Sequence, residues 1–221
     1  EFESVKKESL VRLRTYLGLI PDTFSLGLDW QEKANKNGVR VIGTQVNGST
    51  WSSIQGDCMI KSSKQNIIDL VRDDNRTGEY DDMYDKFEFI HQLDDETSLR
   101  LIQMKGIWPT APREFLMLSS IVDLEDGSSL IFSRSVNESV KPQTKSYVRG
   151  FIQTSGFYIQ PYSSFKEGEA PVGLEPGMCK VILCAHTELG GSLPSSVVNQ
   201  LSTGAPVKIL EGIKGVLSRS H

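Results

Sequence analysis

The sequence has few of the residues on which metal and disulfide chemistry depends. Its 221 residues include three histidines and three cysteines, Cys58, Cys179 and Cys184, and the cysteines form no CxxC pair. Structural zinc sites need matched sets of Cys or His ligands, so we expect no metal site. An odd number of cysteines in a chain of this length disfavours a disulfide scaffold and favours reduced thiols in a cytoplasmic protein.

Long apolar runs and an excess of basic charge are also missing. The longest apolar stretches, such as Phe115–Leu118 and Val181–Ala185, are far shorter than the roughly 20 apolar residues that a membrane span needs. At the N-terminus no basic segment followed by an apolar one marks a signal peptide. Because the net charge is −4, the chain lacks the basic surface typical of nucleic-acid-binding domains, and we expect no nucleic-acid partner.

The motifs of nucleotide binding and ester hydrolysis are absent from the sequence too. It contains no P-loop, no G-x-G-x-x-G and no G-x-S-x-G nucleophile elbow, and the isolated pair Gly190-Gly191 is typical of a turn. The residue types of a Ser/His/Asp triad are present, with His91 inside a predicted strand and His186 at the end of another. A hydrolase is therefore a disfavoured alternative, and we predict that the protein is not an enzyme.

The hydrophobic pattern predicts helices at both ends of the chain and an antiparallel sheet between them, an α+β arrangement. Residues 4–18, 62–71 and 197–217 have the spacing of amphipathic helices, and Pro206 is expected to kink or split the last one. A large twisted sheet tends to curl, and a long helix can close its concave face. Nine strands with mostly hairpin-length connections are predicted, at residues 39–46, 50–60, 87–93, 99–108, 114–123, 129–136, 146–153, 157–162 and 178–186.

Acidic residues are concentrated between Asp73 and Glu96, where ten Asp and Glu accompany two basic residues. Their spacing does not match a calcium-binding loop, so we interpret the segment as a solvated rim between a helix and a strand. The rest of the chain is mildly basic as a result. Such a surface is compatible with anionic lipid headgroups.

Trp108 lies in a proline-rich loop at the end of a predicted strand, after Gly106-Ile107 and before Pro109. Two interpretations are open for its side chain. The indole either folds back onto the core or stays exposed, where it would sit at a membrane interface with its ring in the lipid and its N–H toward water.

Six short segments in chain order resemble the START (StAR-related lipid transfer) domain family. Each is degenerate by itself, but six in register over nearly the whole chain rarely arise by chance. The resemblance implies a helix-grip fold in a single domain over residues 1–221: a curved antiparallel sheet of about nine strands, closed by the long C-terminal helix over a lipid tunnel. The segments are Gly38–Val41, Arg76–Asp81, Leu93–Thr97, Trp108–Phe115, Tyr147–Gly150 and Gly190–Pro206.

The resemblance also implies a function, namely the binding of one lipid and its non-vesicular transfer without a cofactor or covalent chemistry. We expect a monomer that associates transiently with membranes through Trp108 and Ile107, while residues 106–113 and 192–217 open to admit the lipid. The alternative is a lipid-sensing regulatory module. Because the chain begins and ends abruptly, without an initiator Met, we expect it to be an excised piece of a longer protein.

The choice of lipid depends on a few polar positions in the implied tunnel. Sterol-binding members usually have an acidic residue in the strand before the Trp-Pro loop and an Arg in the strand after it, and by register these positions are Gln103 and Ser119. Because both are uncharged here, a phospholipid or ceramide-like lipid is favoured over a sterol. The candidate lipid-binding residues are Gln103, Ser119, Ser133, Tyr158 and Asn199.

A phosphocholine headgroup would need further partners. Aromatic side chains could surround its quaternary ammonium, and alternation alone does not decide which of Tyr147, Tyr158 and Tyr162 point inward. Arg113 and Arg149 occupy positions that match the family pattern, where they either meet phosphate or form surface ion pairs.

Overall fold

The computed structural model of the chain describes residues 2–108, 110–191, 193 and 195–219, without the side chains of residues 195–197 and 199–202. Within the described residues, three helices, α1 (Phe2–Tyr16), α2 (Lys64–Arg72) and α3 (Ser195–Arg219), accompany one sheet. Three short 3₁₀ segments are Asp74–Glu79, Glu138–Val140 and Tyr162–Ser164. The strands are β1 Gln31–Lys36, β2 Val39–Gln45, β3 Ser52–Ile60, β4 Tyr84–Asp94, β5 Thr97–Met104, β6 Arg113–Asp123, β7 Ser129–Ser135, β8 Val148–Arg149, β9 Phe151–Pro161 and β10 Cys179–Glu188.

Nine of these strands form one antiparallel path, in the order β1-β2-β3-β10-β9-β7-β6-β5-β4, and the two-residue β8 pairs in parallel with β6. The last strand of the chain, β10, lies in the middle of the sheet between β3 and β9. Register shifts in the pairings β1–β2, β9–β10 and β4–β5 are irregularities of the kind that bend strands. The predicted α+β architecture, a curved antiparallel sheet with a long C-terminal helix, is confirmed, and the sheet does not close into a barrel.

Several strand assignments differ from the sequence prediction. The strand predicted at residues 99–108, for example, ends at Met104 as β5. The strand β1 was not predicted because its residues are polar and almost all exposed at the sheet edge, so they show no hydrophobic pattern. The segments predicted at 146–153 and 157–162 form the short β8 and then the continuous β9, which runs through Gly156 without a turn. A Cβ at Gly156 would collide with the backbone carbonyl of Ile131 on β7. This glycine therefore allows two strands to approach closely, where the sequence had indicated a break.

The helix α3 is continuous across Pro206, so of the two predicted effects of this proline, a kink or a split, the split is wrong. Pro206 is buried against β3, where a Cβ added to Gly56 would lie 2.9 Å from the proline Cβ and 3.1 Å from Leu210 Cδ1. The helix is therefore unbroken at the point where Pro206 packs closely on Gly56 of the sheet.

Two hydrophobic clusters lie on opposite faces of the sheet. The helices α2 and α3 cover one face, which we call the concave face, and α1 covers the other, the outer face. The concave-face cluster includes Val39, Val41, Ile54, Ile67, Ile131, Ile159, Val181, Val207, Leu210 and Ile213. The outer-face cluster includes Leu13, Tyr16, Leu99, Leu101, Leu116, Leu118, Leu130, Phe132, Tyr158 and Cys184.

Two glycines of α3 give a matched test of how this helix is held. A Cβ at Gly212 would collide with the backbone of Tyr80, whereas nothing lies within 4 Å of a Cβ at Gly215. We expect Gly212→Ala to lower the free energy of unfolding by about 1–3 kcal/mol through overpacking. Gly215→Ala is expected to raise it by up to about 1 kcal/mol, because alanine favours the helix. Urea unfolding measures the free energy of unfolding of both variants. Equal changes in the two variants would contradict the close packing of Gly212 on Tyr80.

Candidate functional site

The two faces of strands β5 and β6 are filled unequally. On the outer face, Leu101 and Leu118 are at most 2% exposed beneath α1. On the concave face of the same strands, Ile102, Met117 and Ser119 are only partly buried. The helix α3 lies mainly over β2 and β3, so it leaves this part of the concave face incompletely covered. The sheet and the helix thus enclose an unfilled concavity.

An apolar pocket opens at one end of the concavity, between α3 and the loop of residues 105–112 that joins β5 to β6. It has about 600 Å³ of empty space, including its open mouth. The walls are Asp81, Met83, Met104, Lys105, Ile107, Thr110, Arg113, Phe115, Leu189, Leu193, Ala205 and Ile209.

Two of the predicted lipid-binding residues lie together on the concave face. Ser119 of β6 and Ser133 of β7 are direct partners in the sheet register. Ser119 lies two residues from Ile121 in β6, and Ser133 lies two residues from Ile131 in β7. Because side chains two residues apart in a strand share a face, both serines lie on the concave face. Both serines are partly exposed on this face, and neither belongs to the wall of the apolar pocket.

Gln103 lies on the outer face, away from the concavity. Its side-chain amide donates to Glu114 Oε2 at 3.0 Å and to Thr144 Oγ1 at 3.3 Å. Glu114 is fully buried and accepts from Arg149 Nη2 at 2.8 Å. Burial raises the pKa of Glu114, but the hydrogen bonds from Thr144, Arg149 and Gln103 outweigh it and lower that pKa overall. The carboxylate therefore stays charged in a structural network.

The last two predicted lipid-binding residues are Tyr158 and Asn199, and neither is observed at the concavity. Tyr158 belongs to the outer-face cluster beneath α1, so its ring does not line the concavity. Asn199 lies in α3, but its side chain falls outside the described residues. Neither Tyr147, which donates to Asp85, nor Tyr162, which is 37% exposed beyond β9, is part of the pocket wall.

Both arginines at the family positions have protein partners. Arg149 pairs with the buried Glu114. Arg113 donates to the backbone carbonyls of Ala111, Leu189 and Gly190, so it connects the loop before β6 to the segment that follows β10. These two segments border the pocket. Neither arginine is an exposed surface ion pair, because both side chains are largely buried.

Trp108 is 91% exposed at the tip of the loop between β5 and β6, which excludes the interpretation of an indole packed on the core. The loop is held by Thr110, whose backbone N–H and hydroxyl both donate to the carbonyl of Ile107, at 2.7 and 2.6 Å. Ile107 lines the pocket. The loop therefore places one apolar side chain in the pocket wall and presents the next one to solvent.

The hydrolase alternative depends on His186, which is buried on the outer face. Its Nδ1 lies 2.7 Å from the Tyr16 hydroxyl and its Nε2 lies 3.0 Å from Ser49 Oγ. Burial lowers the pKa of His186, and Tyr16 occupies the place at which a triad needs a carboxylate. In the part of the chain that the structure describes, no three metal-ligating side chains are grouped, and no helix is long and apolar enough to cross a membrane.

The Gln103 network gives a stability test. We expect Gln103→Ala to lower the free energy of unfolding by about 1–2 kcal/mol, because two hydrogen bonds are lost and Glu114 is left with fewer donors. Gln31→Ala, on the exposed edge strand β1, is the matched control and is expected to change stability by less than about 0.5 kcal/mol. Urea unfolding measures both. An unchanged midpoint for Gln103→Ala would contradict the network.

His186 predicts a pH dependence of stability. The unfolded chain protonates this imidazole near pH 6.5, whereas burial lowers its pKa in the folded state. The unfolded state then binds more protons as the pH falls below about 6.5, so the free energy of unfolding decreases on acidification. We expect wild type to lose more stability than His186→Gln between pH 7.5 and 5. Urea unfolding at several pH values measures the difference, and parallel pH profiles would refute it.

The comparisons with known proteins agree with this geometry. The sequence profile of the START domain matches residues 56–218. StAR-related lipid transfer protein 5 of Bos taurus is 25% identical over 177 residues, which cover 77% of each chain. StAR-related lipid transfer protein 6 of Homo sapiens is 22% identical over 144 residues, 64% of this chain and 61% of that protein.

A solved structure, that of human StAR-related lipid transfer protein 5, superposes with a TM-score of 0.82 at 19% identity and covers 99% of both chains. This likeness shows the shared fold. The profile match extends over most of the chain and confirms the resemblance seen in the sequence. The chain belongs to the START domain family.

Proposed function

We propose that the chain binds one lipid in the concavity between α3 and the sheet and transfers it between membranes without covalent chemistry. The observation that carries the proposal is the unequal filling of the sheet, with a packed outer face and a partly exposed concave face that ends in an apolar pocket. Two similar proteins of the same family are named lipid transfer proteins. The proposal includes a non-enzymatic, monomeric protein that acts in the cytoplasm.

The driving force for such a carrier is the removal of acyl chains from water. Each methylene exposed to water costs roughly 0.8 kcal/mol, so a free lipid crosses the aqueous phase very slowly. The concavity offers the chains an apolar wall that includes Met104, Phe115 and Ile209. Binding in this wall lowers the free energy of the lipid in transit without any reaction.

Opening would take place at the pocket mouth, where α3 meets the segment before β4. Lys208 of α3 pairs with Asp82 at 3.2 Å, and both side chains are more than half exposed. An exposed pair of this kind contributes only about 0–1 kcal/mol. The contact can therefore be exchanged at low cost, and the two exposed lysines at the mouth, Lys105 and Lys208, would meet anionic headgroups as α3 moves.

The lipid favoured from the sequence, a phospholipid or ceramide-like lipid over a sterol, remains our proposal. Ser119 supports this preference, because it is uncharged and lies on the concave face. Gln103 no longer contributes, because its amide is engaged on the outer face.

Trp108→Ala tests the membrane step. Loss of an exposed indole removes roughly 1.5–3 kcal/mol of apolar burial at the bilayer, which corresponds to at least about a tenfold decrease in membrane affinity. We expect transfer of fluorescent lipids between donor and acceptor liposomes to slow accordingly. Val172→Ala, a 99% exposed apolar residue in the loop between β9 and β10, is the matched control and should retain the wild-type rate.

The same assay distinguishes the other functions. Lipid binding without transfer would support the sensing module in place of the carrier. Equal transfer by wild type and Trp108→Ala, with equal liposome binding, would remove Trp108 from the mechanism. Ester turnover that is lost when Ser49 and His186 are replaced would revive the hydrolase.

A further inference from the structure

A row of four serines crosses the concave face of the sheet. Ser98 of β5 pairs with Ser119 of β6, Ser119 with Ser133 of β7, and Ser133 with Ser155 of β9. Residues paired directly across antiparallel strands share a face, so the four hydroxyl groups lie on the same side. With strands about 4.8 Å apart, the row extends over about 14 Å.

One end of the row is fixed by a partly buried ion pair. Arg100 Nε donates to Ser98 Oγ at 2.7 Å, and Arg100 Nη1 donates to Asp74 Oδ1 at 3.0 Å. The side chains of Arg100 and Asp74 are only 13% and 14% exposed. The guanidinium charge is thereby compensated, and Ser98, itself 3% exposed, is held as an acceptor whose own hydroxyl hydrogen can be donated onward.

The remaining hydroxyl groups of the row have no partner within the described part of the chain. Ser119, Ser133 and Ser155 are partly exposed, and none of their side chains forms a hydrogen bond with a described residue. Each hydroxyl can donate one hydrogen bond and accept two. The concave face thus presents several unused donors and acceptors, on strands whose other ends, at Met104 and Phe115, line the apolar pocket.

No free cation accompanies these hydroxyl groups on the described concave face of β5 to β9. The neighbouring side chains on that face are Arg100, whose charge is paired with Asp74, and the uncharged Ile102, Met117, Ile121, Ile131 and Phe157. Arg113 lies six residues along β6 from Ser119, a distance of about 20 Å, and donates to backbone carbonyls. Residues 192–207, which include the first half of α3, contain no charged residue.

We infer that the serine row binds an uncharged polar group of the lipid, a hydroxyl, amide or ester, and so selects lipids without a phosphate. This inference rests on the proposed function and narrows its ligand class to ceramide-like lipids. Burying an ionised phosphate without a matching cation is far more costly than burying a neutral group that the hydroxyl groups can satisfy. Tyr158, the aromatic candidate for a choline contact, lies on the outer face and does not contribute to the concave face.

Extraction from vesicles tests the inference. Fluorescent ceramide, diacylglycerol, cholesterol or phosphatidylcholine is placed at the same trace level in otherwise identical vesicles. We compare wild type, Ser119→Ala/Ser133→Ala and the control Ser163→Ala, an exposed serine outside the concavity. Wild type and control should extract ceramide at least about tenfold better than phosphatidylcholine. The double variant should lose about tenfold of this preference while its thermal unfolding stays close to wild type.

The results distinguish the proposed lipid binding from the inferred selection by the serine row. Equal or better extraction of phosphatidylcholine would overturn the inference and leave the proposed lipid binding intact. An unchanged preference in the double variant would remove the serines from the site. Extraction of cholesterol alone would support a hydroxyl-binding row and contradict the ceramide-like class. Failure to extract any of the four lipids would overturn the proposed function and the inference together.

Discussion

Side chains alternate between the two faces of every strand, and the two faces of this sheet have different partners. On the outer face, α1 and its neighbours pack Leu101, Leu118 and Phe132 to near-complete burial. On the concave face, α3 is anchored over β2 and β3. There Ser98 and Phe115 are buried, but Ile102, Met117 and Ser119 remain partly exposed. A folded chain retains an unfilled apolar space at a cost in packing, so a space of this kind points to a ligand that fills it. The pocket, its mouth and the serine row all follow from this asymmetry.

The helix α3 combines a firmly packed half with a half above the pocket. Its C-terminal part contributes Leu210, Ile213 and Val216 to the concave-face cluster, and Gly212 allows it to contact the backbone of Tyr80. Further toward its N-terminus, Ala205 and Ile209 line the pocket, and an exposed ion pair to Asp82 is the contact across the mouth. In the proposed opening, the exposed pair between Lys208 and Asp82 would separate while the packed C-terminal half keeps the helix attached to the sheet.

The order of most helices and strands could be predicted, because the spacing of apolar residues along the sequence indicates which face of each element is buried. The site was predicted only in part, because the face of the sheet that each side chain occupies depends on its position in the alternation along its strand. Ser119 and Ser133 share the concave face, whereas Gln103 shares the face of Leu99 and Leu101, a signal of alternation that is already present in the sequence of β5. The face that Tyr158 occupies depends on the continuous course of β9 through Gly156, where the sequence indicates a break. The network of Glu114 with Arg149, and the serine partners Ser98 and Ser155, depend on contacts between distant strands that no local pattern reveals.

The central claim is that the concavity holds one lipid, and the most direct measurement is the identification of lipids that remain bound to the natively purified chain. Native mass spectrometry of the protein, before and after incubation with mixed liposomes, gives the stoichiometry, and extraction of the complex gives the lipid class. The account predicts a single lipid per chain with an uncharged polar group. A protein that stays empty after incubation with every liposome mixture would contradict it.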